Sequence, residues 1–174
     1  MARHRFTLAA LATSAVPGFE VASAQAFTGG GHGDHDAALL TGRDGSHAVV
    51  RVPTSAQAAR RLLGEVRALT ALTAGTRSRL PFAVPVVRGT ADPPPTVVTD
   101  YVPGSRLRLD AVTAGSRLAA SIGQAIAAVH ALPTGVVVDA ALPVAGAGDG
   151  VRQVAQVMDR AARTARVPAR LLDR

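Results

Sequence analysis

The sequence predicts an α+β fold: an antiparallel sheet of about five strands with one long helix, followed by helices only. Three observations carry this. Short runs of period-two alternation mark strands up to about residue 102, and a single long stripe of period 3.6 interrupts them between residues 55 and 74. Beyond "VPG" at 102–104 the period becomes 3.6 and stays there.

The elements follow in order. Leu8, Leu11 and Ala15 fall at helical spacing, and Pro17-Gly18 stops that short amphipathic helix. The same residues admit a second reading as an export signal, with Arg3, His4 and Arg5 ahead of an apolar stretch and Ala22-Ser23-Ala24 as a cleavage site. Three strands come next, "FEVASAQAF" (19–27), "DAALLTG" (36–42) and "HAVVRVP" (47–53). Asp44-Gly45 joins the second to the third, because both central positions of a tight hairpin turn favour positive φ. Thr54 or Ser55 caps the long helix, whose stripe is Ala59, Leu62, Leu63, Val66, Leu69 and Leu72. Two further strands, "FAVPVVRGT" (82–90) and "TVVTDYV" (96–102), flank Pro93-Pro94-Pro95, which can neither continue a helix nor pair in a ladder. Leu118, Ile122, Ile126 and Val129 mark a helix over 114–132, Asp149 caps another, and Pro168 suits the first turn of a last one.

Composition removes several function classes. The chain has no Cys, which excludes disulfides, thiolate catalysis and Cys-type zinc sites. It has no Lys either, so all 19 basic residues are Arg, and the net charge is +7. Such a charge suits nucleic acid as a partner, but the arginines are scattered and aromatic residues for base stacking make up only 3%. Neither nucleic acid nor a membrane is therefore an expected partner, and no run reaches the roughly 18 apolar residues of a spanning helix.

"TGGGHGDHD" (28–36) carries the densest chemistry. His32, Asp34, His35 and Asp36 are ligand types, but one glycine-rich loop without a second ligand set leaves a metal site unclosed. A hairpin turn and a phosphate-cradling loop are the two other readings. Alternation in the third strand puts His47, Val49 and Arg51 on one face, against Ala48, Val50 and Val52 on the other. Glu65 sits in the long helix between apolar neighbours, either solvated beside Arg61 or Arg67 or turned toward the sheet.

In this order and at these spacings, "DAALLTGRDGSHAVVRVP", "LLGEVRALTAL", "LPFAVPVVRGT", "VVTDYVPG" and "SIGQAIAAVHALP" resemble the aminoglycoside and macrolide phosphotransferase family. These are small-molecule kinases with a protein-kinase-like fold. The resemblance runs from about Phe6 to the last residue and implies an N-lobe over 1–104 and the start of a helical C-lobe over 105–174. It places Arg51 where such kinases hold the nucleotide phosphates, usually with Lys, and Glu65 where the acid pairs with that cation. It puts the backbone of Asp100, Tyr101 and Val102 at a purine edge, with Val49, Val98 and Tyr101 as apolar walls. Gly30, Gly31 and Gly33 would lie over the phosphates, with His32 and His35 as further donors. His130 matches a family His near the end of its helix, for which a structural role at the helix C-terminus is the reading preferred.

The implied donor is ATP or GTP with Mg2+, the implied acceptor a hydroxyl of a small molecule, and the implied compartment the cytoplasm. The family's catalytic Asp and metal ligands would lie beyond the equivalent of Arg174, which implies a chain inert by itself. Two readings of other kinds stand beside this one: a binding or interaction domain without chemistry, and an exported metal-binding protein.

Overall fold

The computed structural model describes residues 2–27, 33–105, 107, 112–113 and 115–141, together with 152, 155, 156 and 159. Met1–Leu142 form one compact unit and Pro143–Arg174 a second. The first unit thus runs past residue 104. In the second, the four described residues are helical, inside the helix expected after Asp149; the turn expected at Pro168 lies outside the described residues.

The first unit reads α1 (Arg5–Ala15), β1 (Val21–Ala26), β2 (His35–Gly42), β3 (His47–Pro53), α2 (Ala56–Thr73), a 3-10 turn (Arg77–Arg79), β4 (Val87–Ala91), β5 (Thr96–Asp100), α3 (Arg117–His130) and α4 (Gly135–Asp139). The strands form one antiparallel sheet in the order β1-β2-β3-β5-β4. Two expectations shift. The fourth strand starts at Val87 rather than Phe82, since Pro81 and Pro85 deny that stretch its ladder donors. On α2 the buried residues are Ala58 and Leu62, while Leu63 is 55% exposed, so the buried stripe is rotated by one position from the predicted one.

Local chemistry explains the boundaries. Ser55 caps α2 by accepting the Ala58 amide, and Ser116 caps α3 by accepting that of Ala119. The β2–β3 turn closes with the Gly42 amide donating to the Ser46 carbonyl at 2.8 Å, and Gly45 takes φ +78°, the left-handed conformation that glycine adopts freely.

The core lies on one face of the sheet. Ala38 and Leu40 of β2, Ala48, Val50 and Val52 of β3 and Val98 of β5 pack under Leu8, Ala12 and Ala15 of α1. Complete burial of a Leu or Val side chain stabilises by about 1.5–3 kcal/mol, so the short helix is the lid of this core. Cleavage after Ala24 would strip that lid away. Among the described residues, no helix is long and apolar enough to cross a membrane.

The tightest point of this packing is Gly89 in β4. A Cβ there would overlap the Ala15 carbonyl oxygen, which is backbone and cannot step aside cheaply. Gly89→Ala is expected to lower the unfolding free energy by about 1–3 kcal/mol, measured as a reduced urea midpoint at unchanged slope.

Candidate functional site

The site is built on the other face of the same strand. Residues paired across a sheet share a face, so Arg51 stands with Ala37 of β2 and Val97 of β5, and Val49 with Leu39 and Thr99. Val49 is buried there at 7% exposure. Val98 is a correction to the sequence reading: it pairs with Val50, is fully buried in the core under α1, and forms no wall on the Arg51 face. The parity of β5 gives that role to Val97 and Thr99.

Arg51 and Glu65 meet as a two-pronged pair. Nη1 of Arg51 donates to Oε2 at 3.0 Å and Nη2 to Oε1 at 2.6 Å. The reason is geometric: Glu65 follows buried Leu62 by three positions, which brings it to the sheet side of α2. Arg61, one turn earlier, pairs with Asp34 at the foot of the glycine-rich stretch, and the Thr54 hydroxyl donates to the Asp34 carbonyl at 2.9 Å. Asp36 is held by both the amide and the guanidinium of Arg3, at 3.1 and 3.0 Å. The two acids of "TGGGHGDHD" therefore serve two different arginines. Among the described residues, no group of three His, Cys, Asp or Glu is placed to hold a metal ion.

His35 stands two residues from Ala37 on the Arg51 face, and its Nε2 is buried with no hydrogen-bond partner. Burial holds its imidazole below the usual 6.5; Arg51 and, more weakly, Arg61 push the same way, against Glu65 and Asp34. Gly33 takes φ +74° beside it, whereas Gly30, Gly31 and His32 lie outside the described residues.

Toward the other end of β3, the Asp100 amide donates to Val86 O at 2.8 Å and the Tyr101 amide to His47 O at 3.2 Å. Both amides are committed to neighbouring carbonyls. Val102, at 37% exposure, follows them. The Asp100 carboxylate accepts from Arg88 Nε at 2.6 Å, while Arg88 also reaches Ser46 Oγ and His47 O and lies 5.5 Å from the Phe19 ring centroid. Sequence reasoning missed this fastening of β4 to β3 and β5, although one signal was present: a lone cation in an apolar strand and a lone acid in the next. It missed Phe27 as well, whose ring meets that of Tyr101 edge-on with centroids 6.3 Å apart. His130 ends α3 and lines an apolar hollow of about 270 Å³ with Phe82, Ala125, Ile126 and Val129.

A curled five-stranded antiparallel sheet, a long helix and a strand cation clasped by a helix acid define a kinase-like N-lobe. The chain belongs to the Phosphotransferase enzyme family, which matches residues 24–174. Its fold is similar to a macrolide 2'-phosphotransferase type I, at 29% identity and TM-score 0.61, over 96% of this chain and 56% of that one. It is also similar to macrolide 2'-phosphotransferase MphH from Brachybacterium faecium as the apoenzyme, at 21% identity and TM-score 0.66, over 92% and 54% of the two chains. The chain thus spans a little over half the length of these relatives. No curated protein sequence matches it.

His35 makes stability pH-dependent. The folded state keeps the imidazole neutral, whereas the unfolded chain takes up a proton near the usual value, so stability is full above about pH 6.5 and falls as pH drops below it. Urea midpoints between about pH 5 and 8 should show this loss. His35→Gln should flatten it.

Proposed function

We propose that this chain is the nucleotide-binding part of a phosphotransferase that moves the γ-phosphate of ATP or GTP to a hydroxyl of a small molecule. One observation carries the reading: the bidentate Arg51–Glu65 pair on the cleft face of the sheet, in a chain of the Phosphotransferase enzyme family. Arg51 would meet the phosphates. Its guanidinium has five N–H donors and Glu65 engages two, so three remain, and the carboxylate fixes where they point. Gly33, in the left-handed conformation at the foot of the glycine-rich stretch, allows close approach of backbone to a phosphate.

The base would lie toward Val49, Tyr101 and the hinge from Asp100 to Val102. With the Asp100 and Tyr101 amides spent on Val86 and His47, the donor offered to a purine edge is the Val102 amide. The N-lobe would end near residue 104 and the acceptor would be bound by a helical C-lobe. Both similar structures are named for macrolide 2'-phosphotransfer, so a macrolide hydroxyl is the first acceptor to try and an aminoglycoside hydroxyl the second.

Magnesium, which the family implies, would offset the charge of the donor phosphates. Among the described residues, no group of three His, Cys, Asp or Glu is placed to hold it. The chain alone is accordingly proposed to bind nucleotide without turning it over. We place it in the cytoplasm, the compartment the resemblance to the phosphotransferase family implies.

Isothermal titration with ATP and GTP tests this reading. Arg51→Ala should weaken both by about 10- to 100-fold, the loss of one charge-assisted contact of about 1.5–3 kcal/mol, while the urea midpoint moves little. Unchanged affinity would remove Arg51 from the phosphate site. Glu65→Gln should weaken binding less, because the cation stays but loses its orientation.

A further inference from the structure

Phe27 closes β1 immediately before the glycine-rich stretch, and its amide donates to Ala37 O at 3.1 Å. Ala37 pairs with Arg51, so Phe27 belongs to the same face as the phosphate cation. Tyr101 follows β5, on the far side of β2 and β3 in the sheet. In a flat sheet, three strand spacings across and the four residues from Val97 to Tyr101 along the strand would hold these positions about 19 Å apart. Their ring centroids are 6.3 Å apart at an interplanar angle of 88°, and the other side of Tyr101 meets His47 at 6.2 Å. The sheet therefore curls until its first strand brings an aromatic ring to Tyr101, just past the end of β5. Both rings are half-buried, and neither belongs to the core under α1.

This juxtaposition has a consequence for ligands. One face of the sheet carries a cation, Arg51, and two aromatic rings in contact, Phe27 and Tyr101, on a floor of Val49, Val97 and Thr99. A flat, π-faced group with a polyanionic tail can use both. We propose that Phe27 is the base-stacking residue of this cleft, and that a purine takes its place against the Phe27 ring by replacing the edge contact with Tyr101. A base held between two rings needs them parallel and two stacking distances, about 7 Å, apart, so the present edge-on pair at 6.3 Å must both widen and turn. Stacking reads a π-face rather than a pattern of donors, so adenine and guanine should both be accepted.

The inference rests on the nucleotide reading above, and its test separates the two. Tyr101 is the single tyrosine of a chain with no tryptophan, so selectively labelled tyrosine gives one set of ring resonances, all from the cleft. The full chain is titrated with adenosine, guanosine, ATP and inorganic tripolyphosphate. Both nucleosides and ATP should shift the Tyr101 ring signals. Phe27→Ala and Phe27→Leu should weaken nucleosides and ATP by the same factor, about tenfold, and leave tripolyphosphate unchanged. Phe27→Leu keeps the apolar bulk, and Phe27→Tyr, which keeps the ring, should restore affinity. Arg51→Ala should do the reverse, weakening ATP and tripolyphosphate but not the nucleosides. If ATP binding depends on Arg51 while Phe27→Ala and Phe27→Leu bind nucleosides like the parent, the stacking assignment falls and the nucleotide reading stands. If neither ATP nor nucleosides bind, both fall.

Discussion

Strand β3 carries the core on one face and the site on the other, and the two cannot be adjusted separately. Val50 and Val52 are anchored under α1, which fixes the pleat of the strand, and the pleat then dictates that Val49 and Arg51 face the cleft. A slip of one residue would bury the guanidinium beneath Leu8 and expose two valines. The core thus sets the register of the site. Because β3 is flanked by β2 and β5, the same register passes to Leu39, Val97 and Thr99, which complete the cleft floor.

The use of Arg at position 51 follows its own logic in a chain without lysine. An ammonium is a point charge that a carboxylate can satisfy from many directions, whereas a guanidinium is a planar fork that accepts a carboxylate edge-on. Glu65 takes that edge with both oxygens, which fixes the plane of the group and the direction of its remaining donors. Arg61, one turn earlier on α2, fastens Asp34, and Arg3, just ahead of α1, fastens Asp36, so the residues on either side of His35 are each held by an arginine. Half-buried His35 adds no charge while neutral. In this corner every described carboxylate has a guanidinium partner, and Arg51 is the cation with donors turned to the cleft face.

Much of this was legible in the residues. Alternation, the Asp44-Gly45 turn, the serine cap and the change of period gave each element of the sheet and the long helix, because those signals are local. What escaped depended on partners far apart in the chain. Val98 was misplaced because strand parity is readable only once β5 is registered against β3. Leu63 was counted as buried because a helical stripe wide enough to include it also included Leu62, and only packing shows which edge turns inward. Arg88 looked like one more scattered arginine until β4 was laid beside β5, where Asp100, Ser46 and His47 converge on it.

Phe27 illustrates the same limit more sharply. In sequence it is an apolar residue at the end of a strand, next to a loop whose glycines and histidines draw the attention. Its significance comes from curvature, which no period reveals: the sheet must bend for β1 to reach Tyr101 across β2 and β3. Curvature of this kind arises from the right-handed twist that side chains impose on every strand, and it is relieved by irregular pairing. Both outer strand pairs show such an irregularity, between Val21 and Ser23 in β1 and between Val87 and Gly89 in β4. The break in β4 sits where Gly89 lets the Ala15 carbonyl approach, so the contact that seats α1 on one face falls at a point where the sheet bends around the other. A concave cleft and a capped core are then two sides of one deformation, which is why a cation from the third strand and a ring from the first can face the same small volume.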